Sequence, residues 1–238
     1  FLLDDAAISV ASVNRKLSSL KAYFKYLRKQ GYVEVNPTLK VISPKKQKRL
    51  PEFVDRQGMD KLFDEVEFEE SFEGYRDRLI LQLLYHTGIR LSELIGIKLS
   101  DIDLNQGKLK ILGKRNKERY VPITGELIQS LQDYCKWRDD RSIESGSDSL
   151  FLTSKGGEIY PSLVYAIVKT ILNLVKTIKK KSPHVIRHSF ATHMLNNGAD
   201  LHTIKELLGH ANLAATQVYT HNTFEKIKKI YNQAHPRA

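Results

Sequence analysis

The segment 182–210, SPHVIRHSFATHMLNNGADLHTIKELLGH, constrains the fold of this chain more than any other part of it. It reads as two short helices with a fixed break between them. Ser182 fits an N-cap and Pro183 the first helical position. Val185, Ile186, Phe190, Met194 and Leu195 recur at helical spacing, which predicts one buried face. Asn197-Gly198 supplies the stop, and Gly209 ends the second helix just before His210. Helical geometry then puts His184, Arg187 and His188 on one face, at i, i+3 and i+4. Tyr219 follows nine residues after His210, in the apolar, helix-like run 213–221. Two histidines, an arginine and a tyrosine thus fall within 36 residues, a set able to bind a phosphate, move protons and offer a hydroxyl nucleophile.

The rest of the chain reads as mostly helical. Val13, Leu17, Leu20, Phe24 and Leu27 form an apolar stripe over 11–30, with Asn14, Arg15, Lys21, Lys25 and Arg28 between them. Such a helix fits a major groove or the edge of a core. Helices are also predicted over 55–66, 75–86 (Leu79, Ile80, Leu83 and Leu84 buried), 127–140, 162–179 and 224–232. The period changes at 101–123, where 108–112 and 119–123 read as the strands of a hairpin, and 150–152 reads as a further short strand. The fold class is therefore mainly α with a small antiparallel β-sheet (α+β). Gly88 allows a turn before Arg90 and Glu93, spaced i, i+3. That pair is either a weak surface ion pair or a guanidinium fixed by a carboxylate and aimed at a phosphate. Lys114, at the hairpin end, either reaches into a cleft or blunts a sheet edge.

Charge divides the chain. Residues 1–50 carry 11 basic and 3 acidic residues, or +8, whereas the remaining 188 carry 27 and 24, or +3. A bias this local points to a polyanion met by the N-terminal part, or to a solubilising surface. Pro44 and Pro51 flank Lys45, Lys46, Lys48 and Arg49, an extended basic linker suited to a phosphate backbone. The domain division expected is 1–42, a linker at 43–51, and 52–238. Cys135 is the single cysteine, so neither an intramolecular disulfide nor a cysteine-rich zinc site can form. No run of about 18 apolar residues and no signal-peptide pattern is present. The first residue is not Met, and the expectation is of a chain whose beginning lies upstream.

TGIRLSEL, the Gly-Lys of the hairpin, SPHVIRHSFATHML, LLGH and Tyr219, in this order and spacing, resemble the tyrosine recombinases (phage integrase family), and most of all the bacterial Xer chromosome-dimer resolvases. The similarity runs from about residue 52 to the end, with the linker and the second half of a helical DNA-clamping (core-binding) domain before it. The resemblance implies a tyrosine-recombinase catalytic domain with a C-terminal exchange helix over 223–233. It implies that Arg90 and Arg187 clamp the scissile phosphate and that Lys114 protonates the 5′-oxygen leaving group. His184 and His210 would donate to the phosphate and assist proton transfer, Tyr219 would be the nucleophile, and Glu93 would orient Arg90. Asn14, Arg15, Lys21, Lys25, Lys45, Lys46, Lys48 and Arg49 would contact DNA. Two arginines suit the charge gathered by a phosphodiester under attack.

No cofactor and no metal is implied, and zinc ligation by His184 and His188 is the lesser alternative, lacking HExxH or a neighbouring cysteine. The implied partners are a double-stranded DNA recombination site and a homo- or hetero-tetramer with a related recombinase, built through the C-terminal helix. A DNA translocase stays open as a further partner. The implied setting is the cytoplasm, at the nucleoid, with no membrane. Other readings are a mobile-element integrase or transposase with the same chemistry, a type IB topoisomerase, and a non-catalytic DNA-binding protein on this fold.

Overall fold

The computed structural model of the chain describes residues 8–45, 52–113, 116–142, 146–175, 177–209 and 221–238, without the side chains of 140–142 and 221–223. Lys46, Lys48, Arg49, Lys114, His210 and Tyr219, with most of the run 213–221, lie outside the described residues. The chain separates into two compact units, Phe1–Leu50 and Pro51–Ala238.

The first unit holds α1 (Val10–Lys29). Ser9 caps it by accepting from the Ser12 amide at 3.2 Å, and Arg28 and Lys29 in the last turn complement the helix dipole. The apolar stripe is buried at its start only. Val13 and Leu17 are buried, Phe24 and Leu27 are half-buried, and Leu20, expected inside, is 48% exposed. Burial coincides with the place where the Asn14 amide donates to the Pro44 carbonyl at 3.0 Å. The break at Asn36-Pro37 is a side-chain turn, with Asn36 Oδ1 accepting from the Thr38 amide (2.9 Å) and hydroxyl (2.6 Å).

The second unit runs α2 (Arg56–Asp64), α3 (Phe72–Thr87), α4 (Leu91–Ile95), β1 (Ile102–Asp103), β2 (Lys108–Leu112), β3 (Glu118–Pro122), α5 (Gly125–Ser142), α6 (Pro161–Leu172), α7 (Pro183–Asn196), α8 (Leu201–Leu208) and α9 (His221–Ala234). α3 is the central element. Leu79, Ile80, Leu81, Leu83 and Leu84 are all fully buried, so the helix is enclosed on every side, chiefly by α5 and α7. It begins earlier than its apolar run because Ser71 accepts from the Gly74 amide. The hairpin acquires a third strand, giving a sheet in the order β1-β2-β3, antiparallel throughout, with Leu109 opposite Val121 and Ile111 opposite Arg119.

Three expectations fail. α6 stops at Leu172, not at 179: the amides of Leu174 and Val175 donate to the carbonyls three residues back (3.2 Å each), and further on the Glu52 carboxylate accepts the amides of Lys179 (2.9 Å) and Lys180 (2.8 Å). Residues 150–152 form only an isolated bridge, Leu152 to Glu158. Arg138 takes the carbonyls of Ser149 (3.0 Å) and Leu150 (3.1 Å), and the Tyr134 hydroxyl accepts from the Leu152 amide, so the groups a strand would pair are already engaged. Leu195 is 51% exposed, although the other four apolar positions of α7 are buried.

α9 is longer than 224–232. Phe224, Ile227 and Tyr231 are buried and Ile230 half-buried, within the helix's own unit, against α7, α8 and β3. Beyond it His235 stacks between His86 (4.8 Å) and Tyr231 (4.9 Å), and Arg237 pairs with Asp64 at 2.8 Å and Glu126 at 3.3 Å. Among the described residues no helix is long and apolar enough to cross a membrane.

Candidate active site

The site begins at the end of α3. Gly88 closes that helix in the left-handed conformation, with φ +60°. A Cβ there would lie 2.4 Å from Phe190 Cδ1 and 2.8 Å from Leu208 Cδ2, so only glycine lets this turn press against α7 and α8. Arg90 follows as the N-cap residue of α4, and Glu93 caps that helix by accepting the Arg90 amide at 2.8 Å. The same carboxylate accepts Arg90 Nη1 at 2.7 Å. The pair is no loose surface contact, because the Glu93 side chain is 4% exposed.

Arg187 reaches this point from α7. Its Nη1 donates to the Gly88 carbonyl at 2.6 Å and its Nη2 to the Leu208 carbonyl at 2.8 Å, and its nearest approach to Glu93 is 4.0 Å. Ser182 occupies the N-cap position of α7 by backbone geometry, but its buried hydroxyl makes no capping bond. The start of α7 is instead set by Pro183 and the Val185 amide, which donates to the Ser182 carbonyl. His184, in that first turn, is exposed. His188 lies edge-on to Phe53 at 6.1 Å, so of the expected trio on α7 Arg187 is the one whose contacts join it to this cluster.

The third cation of the cluster, Arg119 on β3, escaped the sequence reading. It grips Glu93 with both guanidinium arms, at 3.0 and 2.8 Å, and its Nε donates to the Leu207 carbonyl at 2.8 Å. The available signal was strand alternation: Arg119 shares the inward face of β3 with Val121, and an arginine on an apolar face needs a partner. Arg90 Nη2 donates to the Gly209 carbonyl at 3.2 Å. Three consecutive carbonyls at the end of α8, those of Leu207, Leu208 and Gly209, are therefore each held by a different arginine.

The electrostatics follow from this crowding. Burial pushes the Glu93 carboxyl up, but bonds and charge from Arg119 and then Arg90 outweigh it and hold it at about 2. Burial and the positive charge of Arg90 bring Arg187 down to about 10. Three guanidiniums share one carboxylate, and the two that line the open side, Arg90 (28% exposed) and Arg187 (11%), form a socket for an anion. Of the groups expected to touch DNA outside the site, Arg15, Lys25 and Lys45 are exposed, Lys21 is half-buried, and the Asn14 amide is engaged with Pro44.

The pattern of the Phage integrase family matches residues 52–226. The chain belongs to the phage integrase family. It is 40% identical over 256 residues to a tyrosine recombinase XerC of Chlorobaculum parvum, covering 98% of this chain and 76% of that protein. It is 43% identical over 227 residues to a tyrosine recombinase XerC of Staphylococcus saprophyticus, covering 95% and 76%. Among solved structures it is similar to the XerH site-specific recombinase bound to palindromic difH substrate in a post-cleavage complex, with a TM-score of 0.76 and 27% identity, covering 96% of this chain and 68% of that one. The chain is thus an enzyme of the site-specific tyrosine recombinase class, and its mostly helical fold with a three-stranded sheet is that of the catalytic domain of this class.

Proposed function

We propose that the chain cleaves and rejoins DNA at a specific site through a covalent 3′-phosphotyrosine, and that its biological task is the resolution of chromosome dimers. Arg90 and Arg187 hold the non-bridging oxygens of the scissile phosphate. The Tyr219 hydroxyl passes its proton to the histidine pair, His184 and His210, and its oxygen forms a bond to phosphorus while the bond to the 5′-oxygen breaks. Lys114 gives the leaving oxygen its proton, and His184 and His210 donate to the phosphate and assist proton transfer. Religation is the reverse, with the free 5′-hydroxyl attacking the phosphotyrosine. The ester keeps the energy of the broken bond, so the cycle needs no nucleotide triphosphate.

The observation that carries this reading is the paired guanidinium socket of Arg90 and Arg187 around Glu93, with Arg187 brought down to about 10 by burial and by a second cation, an arrangement short of one anion. A phosphodiester supplies it, and the charge developed during attack strengthens the same bonds. The chain's 40–43% identity to proteins named tyrosine recombinase XerC supports the chromosome-dimer assignment over that of a mobile-element integrase. The basic first unit supports DNA as the polyanion, at the nucleoid. The stripe Phe224, Ile227 and Tyr231 supports α9 as the element that joins protomers into a homo- or hetero-tetramer on DNA, by leaving its own unit for the same place on a neighbour.

The test is covalent trapping. The protein is mixed with a nicked duplex carrying a site selected from random duplexes by binding, then run on a denaturing gel without metal or ATP. A protease-sensitive shifted band is expected. Free strand cleavage with no protein attached would contradict the covalent route.

A further inference from the structure

Arg119 is placed where it cannot meet DNA, yet it makes the most complete ion pair near the socket. Its side chain is 6% exposed and that of its partner Glu93 4%. Both Glu93 oxygens are doubly used: Oε1 accepts from Arg90 Nη1 (2.7 Å) and Arg119 Nη1 (3.0 Å), and Oε2 from the Arg90 amide (2.8 Å) and Arg119 Nη2 (2.8 Å). The third contact of Arg119, from Nε to the Leu207 carbonyl, fixes the end of α8. Gly209, at φ +63°, leaves room for this guanidinium, since a Cβ there would come within 2.9 Å of Arg119 Nη1.

The geometry points to Arg119 as a positioning residue: it neutralises Glu93 from behind, so that the carboxylate can orient Arg90 without cancelling the charge that Arg90 and Arg187 present to a phosphate. Glu93 alone among two arginines would leave one net positive charge on the socket. With Arg119 the same carboxylate leaves two, matching a phosphate whose charge rises during attack. Arg119 also holds the Leu207 carbonyl beside those of Leu208 and Gly209 taken by Arg187 and Arg90, so all three guanidiniums are tied to the end of α8. This inference rests on the reading that Arg90 and Arg187 hold the scissile phosphate.

The test uses the full chain in four forms: unmodified, Arg119→Gln, Arg119→Lys, and the double variant Arg119→Gln with Glu93→Gln. Two quantities are read. One is the affinity for inorganic phosphate, followed at the Nε–H signals of Arg90 and Arg187 by NMR. The other is the single-turnover rate of strand cleavage on the nicked duplex. Arg119→Gln is expected to weaken phosphate binding about 10-fold and slow cleavage about 100-fold, the scale for losing one preorganised donor, with unchanged affinity for the intact duplex. The double variant, which removes the uncompensated carboxylate, is expected to regain at least about a tenfold factor in rate. Arg119→Lys, which keeps the charge and loses the fork, falls between.

A buried brace with no electrostatic role gives a different pattern. Cleavage then follows the denaturation midpoint across the variants, and the double variant is no faster than Arg119→Gln. That pattern, or an unchanged phosphate affinity in Arg119→Gln and in Arg119→Lys, overturns the inference. If the unmodified chain binds phosphate at these arginines but never cleaves DNA, the recombinase chemistry fails while the phosphate titration still decides the role of Arg119.

Discussion

A single carboxylate organises the site at the scale of residues. Glu93 caps α4, holds Arg90 and grips Arg119, and at about 2 its pKa keeps it ionised at any working pH. The link between Arg90 and Glu93 was legible from their spacing, i to i+3 after a turn glycine. Arg119 was not, because strand alternation marks it only as inward-facing, while its partner lies 26 positions away in sequence. The phosphate role proposed for Arg187 makes a specific demand on it. Its two arms donate to the carbonyls of Gly88 and Leu208, a forked geometry an ammonium cannot copy. Arg187→Lys is expected to slow covalent complex formation by about 10²–10³ while DNA affinity changes less than about threefold, the pattern of a contact strengthened in the transition state. Equal losses in affinity and rate would assign Arg187 to ground-state binding.

Elements with their own periodicity were legible, and those shaped by distant partners were not. The apolar runs of α1, α3 and α7 and the alternation of β2 and β3 stand in the sequence because burial repeats at 3.6 or 2 residues. The backbone at 179–180 is held by Glu52, and the 150–152 segment is bound to Ile97, Arg138 and Tyr134 instead of to a neighbouring strand, pairings that hydrophobic periodicity does not announce. α9 showed its stripe but not its address: the residues that cover it come from α7, α8 and β3. The joint between α3, α7 and α8 at Gly88 is where elements become a site. Gly88→Ala combines a left-handed φ of +60° with a Cβ 2.4 Å from Phe190. The expected loss is about 1–3 kcal/mol from the backbone alone, read as a lower urea midpoint, with slower cleavage because Arg187 loses its anchor at the Gly88 carbonyl. An unchanged midpoint would mean that the turn relaxes without cost.

On the scale of the whole molecule, the C-terminus closes the second unit through histidines kept neutral by burial. His86 is buried with neither ring nitrogen paired among the described residues, and burial brings it down to about 3. Burial likewise lowers His235, stacked on it, and His193, whose Nδ1 meets the Tyr85 hydroxyl at 2.8 Å. In the unfolded chain each takes a proton near pH 6.5. A folded pKa below the unfolded one means that the stability is complete above about pH 6.5 and is lost progressively as pH falls towards the folded value. Unfolding free energy is expected to fall between pH 6.5 and 5 by up to about 1.4 kcal/mol per pH unit for His86, and His86→Phe should flatten that slope by about one proton. A profile unchanged from pH 7.5 to 5 would place these rings in water. The sequence carried the histidines but not this behaviour, since their burial is made by α3, α7 and the tail meeting.

The central claim is that Tyr219 carries the DNA during the reaction, and peptide mapping of the trapped complex tests it most directly. The covalent complex formed on the nicked duplex is digested with nuclease and protease, and the residue bearing the nucleotide is located by mass spectrometry. The account predicts a 3′-phosphate ester on Tyr219, absent from Tyr219→Phe. A nucleotide on any other residue, or a covalent complex that survives Tyr219→Phe at an undiminished yield, would contradict it.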